Sequence, residues 1–259
     1  MKLTAAITVL VTMQTIAFAG IKPGSKDLGA IWCVGDSITQ SNGDADPNSS
    51  PRKSLHDLLK AGGYTFTFTG HFAANPDGLP ATGNTPETNL HHFHSGVSGS
   101  VIGDNNGPRV GMTQNLGKFW TSGRLATVKP NVILLMLGAN DTNSNIDIPQ
   151  APARLATMLD AIHALPGIGK PTVLIGNVTP IRTSPTATAN VTALNAALPG
   201  MVKAAAAKGY DVHFVDQFTP IEAEYAKMMC PDHLHPNTAG NACIAKQWFA
   251  KIEELAAAE

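Results

Sequence analysis

The chain has 259 residues, of which 43% are hydrophobic, 14% charged and 6% aromatic, and its formal net charge is -1. This length and apolar content can bury an ordinary core, and α/β folds of this size commonly form one domain. Because basic and acidic residues nearly balance and no basic run occurs, the composition argues against nucleic acid or an anionic membrane as a partner.

The N-terminus has the pattern of an export signal. Lys2 supplies a positive charge, a short apolar run follows, and residues 17–19 (AFA) match a cleavage site of the A-x-A type. The alternative is a membrane anchor, but a spanning helix needs about 20 apolar residues and Gln14 interrupts this shorter run. We therefore predict that residues 1–19 are a signal peptide, that residues 20–259 form one domain, and that the protein is secreted or periplasmic.

Runs of β-branched and apolar residues predict five strands, namely Ala30–Val34, Tyr64–Thr69, Val132–Leu137, Thr172–Ile175 and Val212–Val215. Helical patterns lie between or after them at Pro51–Ala61, Ala151–Leu165, Ala187–Lys208 with Pro199 as the place of a bend, and Thr238–Leu255. This alternation predicts a parallel sheet covered by helices on both faces. The uniformly apolar third strand is expected at the centre, and the second, which alternates Thr with Phe, is expected nearer an edge.

Residues 71–121 contain no clear strand and are rich in Gly, Pro, Asn and Thr. We expect a long loop with one or two helical turns there, and loops of this length commonly line a binding site or close over it. In an open parallel sheet, ligands bind beyond the carboxyl ends of the strands. The residues that follow each strand are therefore the first candidates for a functional site.

Four short blocks follow the predicted strands or lie in the last loop: residues 35–39 (GDSIT), 96–99 (GVSG), 138–141 (GAND) and 232–236 (DHLHP). In this order, over nearly the whole mature chain, they resemble the signature blocks of the SGNH or GDSL hydrolase superfamily. The resemblance implies a carboxylic ester hydrolase with a flavodoxin-like three-layer α/β/α sandwich around a central parallel sheet of about five strands. The G-x-S-x-G elbow of the other common serine hydrolase fold is absent.

Hydrolysis through an acyl-enzyme needs a nucleophile, a base and a group that orients the base. Ser37 is the expected nucleophile, His235 the base and Asp232 the residue that holds the imidazole, whose ordinary pKa of about 6.5 suits proton transfer near neutral pH. Taken singly, Ser37 could be a helix cap, Asn140 and Asp141 a turn, and His235 an exposed loop residue. The catalytic interpretation fails only if all of these hold together.

The transition state places negative charge on the carbonyl oxygen of the ester, so hydrogen-bond donors must already point at that position. The expected donors of this oxyanion hole are the backbone N–H groups of Ser37 and Gly99 and the side-chain amide of Asn140. Gly96 is the alternative to Gly99, because the block contains two glycines three residues apart.

No cofactor and no metal are expected. Residues 44–48 imitate the start of a calcium-binding loop, but its twelfth position is Leu55 instead of glutamate. The cluster His91, His92 and His94 has no helical spacing and no neighbouring Cys, Asp or Glu, so we expect it to belong to a solvent-facing or pocket-lining loop.

The three cysteines lie in the mature part of the chain, where export exposes them to oxidising conditions. Cys230 and Cys243 flank the loop that carries Asp232 and His235, so a disulfide between them is a possibility that spacing alone does not decide. Cys33 lies in the first strand as a small apolar residue.

Within the superfamily, a secreted domain with a polar loop before residues 96–99 most resembles the bacterial carbohydrate acetylesterases, including the acetylxylan-esterase-like branch. Residues 71–96 are too polar for a long apolar channel, so short acyl groups on a small-molecule or polysaccharide ester are the expected substrate. A lysophospholipase or short-chain lipase, or a thioesterase, is the alternative within the superfamily. A non-catalytic carbohydrate-binding protein is a more remote alternative, and the sequence gives no oligomeric state.

Overall fold

The structure is a computed structural model that describes residues 20–41, 50–72, 93–103 and 109–258. The predicted signal peptide, the calcium-like residues 44–48 and two of the clustered histidines, His91 and His92, lie outside the described residues. Within the described ranges, no helix is both long enough and apolar enough to span a membrane.

A parallel sheet forms the centre of the molecule. Its strands are β1 Asp27–Gly35, β2 Thr65–Thr69, β3 Ser95–Gly96, β4 Val132–Met136, β5 Thr172–Gly176 and β6 Val212–Val215. They pair in the order β2-β1-β4-β5-β6, and β3 pairs separately with the end of β1. All of these pairings are parallel, which confirms the predicted sheet.

The described α-helices are α1 Ser37–Gln40, α2 Pro51–Ala61, α3 Met112–Trp120, α4 Ala139–Asn143, α5 Ala151–His163, α6 Pro185–Ala207, α7 Phe218–Ala223, α8 Tyr225–Met228 and α9 Thr238–Ala257. Helix α2 packs against α9, while α3 and α6 pack against α5. The sheet between these two groups gives the predicted three-layer α/β/α sandwich. Helix α6 continues through Pro199 as one element.

The position of each strand follows from its side chains. All five residues of β4 (VILLM) are buried, as expected for a central strand that is covered on both faces. Strand β2 (TFTFT) lies at the edge of the sheet and is exposed at its first residue. Both placements confirm the predictions made from the apolar run and from the alternation.

The described part of residues 71–121, namely 71–72, 93–103 and 109–121, contains more regular structure than predicted. It contains the short strand β3, where no strand was expected, and α3, whose nine residues make about two and a half turns. The buried residues of α3 are Met112, Leu116, Phe119 and Trp120. This spacing marks one helical face, but the polar residues and Gly117 between these positions weaken the pattern in the sequence.

A buried ion pair connects α4 to α5. Arg154 Nη2 lies 3.0 Å from Asp141 Oδ1, and the Asp141 side chain is completely buried. The other carboxylate oxygen of Asp141 accepts from the backbone N–H of Ile102 at 3.1 Å. Arg154 also donates to the carbonyl oxygens of Ile146 at 2.8 Å and Asp147 at 3.0 Å, so it holds the whole segment between α4 and α5.

We expect Arg154→Met to lower the free energy of unfolding by about 3–5 kcal/mol, because it leaves the Asp141 carboxylate buried without its cation. The matched control is the double variant Asp141→Asn/Arg154→Met, which removes both charges and should recover much of the loss. Urea unfolding of the three proteins measures this. Equal stability of the wild type and Arg154→Met would contradict the prediction.

Candidate active site

The turn after β1 places a serine hydroxyl at the edge of the sheet. Strand β1 ends at Gly35, Asp36 caps the following helix, and Ser37 is the first residue of α1. A Cβ atom at Gly35 would lie 2.1 Å from Thr39 Oγ1 and 2.3 Å from the carbonyl oxygen of Met136. Glycine is therefore required there, because any side chain would push the turn away from β4.

The Asp36 carboxylate is buried inside this turn. It accepts from the backbone N–H of Ile38 at 3.0 Å and also from that of Ala139, so it joins the serine turn to the start of α4. Burial raises its pKa to about 6, although these hydrogen bonds and the nearby His235 act in the opposite direction. No sequence pattern pointed to this role of Asp36, because it depends on the contact with α4.

The histidine and the aspartate of the last loop reach Ser37. His235 Nε2 lies 2.9 Å from Ser37 Oγ, and His235 Nδ1 lies 2.6 Å from Asp232 Oδ2. The second oxygen of Asp232 accepts from the backbone N–H groups of Leu234 and His235, both at 3.0 Å. The structure thus brings together the three residues named as candidates for nucleophile, base and orienting acid.

The charge state of Asp232 determines which nitrogen of the His235 ring carries a proton. Partial burial raises the pKa of Asp232, but the hydrogen bonds from the His235 ring and from two backbone N–H groups outweigh it and hold the pKa below its usual value. A carboxylate can only accept, so His235 Nδ1 carries the proton. His235 Nε2 is then free to accept the proton of the Ser37 hydroxyl.

Sheet register brings the other two blocks beside Ser37. In the sheet, Gly35 pairs with Gly96 on one side and with Met136 on the other. The Gly99 loop and the Asn140 helix follow these strand ends directly. Both therefore lie at the edge of the sheet where Ser37 stands, with the Asn140 side chain almost fully buried.

The two glycines of the second block differ in their hydrogen bonds. The N–H of Gly96 donates to His94 Nδ1 at 2.9 Å, and a Cβ there would lie 2.5 Å from the backbone nitrogen of Gln40. The N–H of Gly96 is therefore already used, which argues against the alternative assignment to the oxyanion hole. Gly99 has a left-handed backbone with φ of 75° and remains the candidate donor.

The disulfide considered between Cys230 and Cys243 is not formed in the structure, and both side chains are buried. Backbone hydrogen bonds close the intervening loop instead. The N–H of Cys230 donates to the carbonyl oxygen of His235 at 2.8 Å, and that of His233 donates to Cys230 at 3.0 Å. Cys243 lies on the buried side of α9, where burial raises the pKa of its thiol.

His94 is the one member of the histidine cluster that the structure describes, and it is completely buried. The Nδ1 atom of His94 accepts from the Gly96 N–H, so the ring supports the backbone of residues 96–99. For His94, the prediction of a solvent-facing or pocket-lining position is therefore wrong. In the described part of the chain, no group of three His, Cys, Asp or Glu side chains is arranged to hold a metal ion.

We expect Asp36→Asn to change the pH dependence of stability. The folded protein binds the Asp36 proton more tightly than the unfolded chain, since its pKa is about 6 against an ordinary 3.8. The stability that this group contributes is complete below about pH 4 and is lost as the pH rises through about 6. The loss can reach about 3 kcal/mol for a shift of this size. Asparagine does not titrate, so the variant should lack this decline.

Urea unfolding of both proteins at intervals across this pH range tests the prediction. The difference between the two free energies of unfolding removes the contributions of titrating groups that do not interact with Asp36. Parallel curves for the wild type and Asp36→Asn would contradict the prediction.

Comparison with known proteins finds a family model and solved structures that are similar to this chain. The model of the GDSL-like Lipase/Acylhydrolase family matches residues 33–243, a range that includes all four blocks. A family 3 carbohydrate esterase of Clostridium thermocellum superimposes with a TM-score of 0.64 at 26% identity, over 88% of this chain and 98% of that one. No curated protein matches the sequence.

Two further solved structures share the fold. A family 3 carbohydrate esterase from Talaromyces cellulolyticus has a TM-score of 0.64 at 22% identity, over 88% of this chain and 98% of that one. The aryl esterase of M. Smegmatis has a TM-score of 0.57 at 18% identity, over 88% and 99% of the two chains. These likenesses confirm the predicted fold class.

Proposed function

This chain belongs to the GDSL-like lipase/acylhydrolase family and is a carboxylic ester hydrolase, and on that premise we propose that it removes acetyl groups from carbohydrate. The proposed catalytic triad is Ser37, His235 and Asp232. The observation that carries the proposed triad is the continuous series of hydrogen bonds between these three side chains, with distances of 2.9 and 2.6 Å.

In the proposed acylation step, Ser37 Oγ attacks the carbonyl carbon of the ester while His235 Nε2 takes the hydroxyl proton. The carbonyl oxygen becomes negative and accepts from the N–H groups of Ser37 and Gly99 and from Asn140 Nδ2. The C–O bond to the alcohol then breaks, and the imidazolium returns its proton to the departing alkoxide. Asp232 stabilises the imidazolium without taking its proton.

Deacylation repeats these events with water as the nucleophile. His235 Nε2 removes a proton from water, the hydroxide adds to the acyl carbon, and the same donors bind the second oxyanion. Ser37 leaves with the proton from the imidazolium, and the acid product is released. The same base therefore serves both halves of the reaction, which requires that its orientation be held by Asp232 throughout.

Two observations support a short acyl group. Among the described residues, Val110 is the single large hydrophobic residue with an exposed side chain, whereas a long acyl chain needs an extended apolar surface. The segment of residues 71–96 is polar in sequence, as noted above. The carbohydrate part of the proposal is supported by the likeness to the C. thermocellum carbohydrate esterase.

We also propose that the protein is exported and that residues 1–19 are removed. The support is the sequence pattern of charge, apolar run and A-x-A site. N-terminal sequencing of the protein recovered outside the cytoplasm should begin at Gly20. Recovery of the intact N-terminus would overturn this part of the proposal.

We expect short nitrophenyl esters to be hydrolysed faster than long ones, and acetate to be released from acetylated xylan. Ser37→Ala should lower kcat by about 10^4-fold or more, because it removes the nucleophile. Ser25→Ala, which removes a half-buried hydroxyl two residues before β1, is the matched control and should retain full activity.

A preference for acyl chains of about eight carbons or more would favour the lipase alternative and contradict the carbohydrate substrate. Faster turnover of acyl thioesters would favour a thioesterase. Undiminished activity of Ser37→Ala would overturn the triad itself.

A further inference from the structure

Arg109 contacts both parts of the proposed oxyanion hole. Its Nη1 atom donates to the carbonyl oxygen of Gly99 at 3.1 Å and to Asn140 Oδ1 at 3.2 Å. Its Nη2 atom donates to Ser144 Oγ at 3.0 Å. One guanidinium group therefore connects the loop that carries Gly99 with both ends of α4, the helix that carries Asn140.

The contact with Asn140 determines which atom of the amide faces the substrate. Asn140 Nδ2 donates one hydrogen to the carbonyl oxygen of Ser100 at 2.9 Å, which leaves its second hydrogen for an oxyanion. A half-turn of the amide would exchange Oδ1 and Nδ2. Oδ1 would then face the Ser100 oxygen, and Nδ2 would face the Arg109 donor. Arg109 and Ser100 therefore select the same orientation, in which the amide presents a donor.

Arg109 also holds the backbone at Gly99. Gly99 has a φ of 75°, and glycine adopts this left-handed conformation about as readily as others. The charge-assisted hydrogen bond from Arg109 to the Gly99 carbonyl restrains this flexible residue. The direction of the Gly99 N–H, which the oxyanion hole requires, is thereby restrained as well.

Arg109 donates to three neutral groups, namely two carbonyl groups and a hydroxyl, and it forms no ion pair with any described residue. The ester carbonyl is neutral in the ground state and becomes negative in the transition state. The Arg109 cation therefore interacts more strongly with the transition state than with the bound substrate.

From these contacts we propose that Arg109 is a positioning residue of the oxyanion hole, which acts on the reaction through Asn140 and Gly99. The inference rests on the proposed function and extends it to a residue outside the four sequence blocks. Since Arg109 acts on the charge that develops during the reaction, its loss should lower kcat and leave KM nearly unchanged.

The test compares Arg109→Ala and Arg109→Lys with the wild type on a short nitrophenyl ester. We expect Arg109→Ala to lower kcat by about 10- to 100-fold and to change KM by less than about 3-fold. Arg109→Lys keeps the charge but not the planar arrangement of donors, so its kcat should lie between those of the wild type and Arg109→Ala. Added guanidinium ion, at concentrations too low to unfold the protein, should restore part of the activity of Arg109→Ala. It would not restore activity if the variant were inactive because it is misfolded.

Lys208→Ala is the control for loss of a positive charge, because Lys208 is exposed at the end of α6 and pairs with Asp160. It should keep the wild-type kcat and KM. Thermal unfolding of all variants shows whether each is folded, and Arg109→Lys remains informative if Arg109→Ala does not fold.

A second readout does not depend on the natural substrate. Methylboronic acid forms a tetrahedral adduct on a reactive serine and so imitates the transition state, whereas acetamide is planar and neutral and so imitates the ground-state acyl group. Calorimetry should show weaker methylboronic acid binding in Arg109→Ala by about the same factor as kcat, with acetamide binding unchanged.

If Arg109→Ala has the same kcat and the same affinity for methylboronic acid as the wild type, the role of Arg109 is overturned while the proposed function stands. Tight methylboronic acid binding by the wild type without release of acetate from carbohydrate would overturn the substrate assignment alone. If the wild type neither binds methylboronic acid nor cleaves any ester, the triad and the role of Arg109 both fail.

Discussion

The site depends on the register of three parallel strands at the carboxyl end of β1. Gly35 pairs with Gly96 on one side and with Met136 on the other, so the segments that follow these positions leave the sheet side by side. Close approach is possible because Gly35 has no side chain to contact Thr39 or the Met136 carbonyl. Ser37 and its neighbours thus owe their positions to backbone pairing in the core of the fold.

Hydrogen bonds convert this placement into a defined chemical geometry. Buried Asp36 joins the serine turn to the start of α4, and the loop between Cys230 and His235 is closed by its own backbone. Asp232 is held as a carboxylate by two backbone N–H groups and the His235 ring, which in turn directs Nε2 at Ser37. The polar groups are therefore oriented before any substrate binds, as catalysis by electrostatic stabilisation requires.

The strands and the triad candidates were predictable from the sequence, for identifiable reasons. Apolar runs mark strands that are buried on both faces, and Ser37, Asp232 and His235 stand in blocks whose order is distinctive. The roles of Asp36 and Arg109 were not predictable, because their contacts depend on where two other segments pass. The hydrogen bond from the Gly96 N–H to His94 was not predictable either, because it depends on how the chain folds at this point. Nor could spacing decide that Cys230 and Cys243 do not form a disulfide.

Fluorophosphonate labelling followed by peptide mapping measures whether His235 activates the Ser37 hydroxyl. We expect rapid modification of the native protein at Ser37 alone, and little modification of His235→Ala or of the unfolded protein. Labelling at another hydroxyl, or equally fast labelling of Ser37 in His235→Ala, would contradict this expectation.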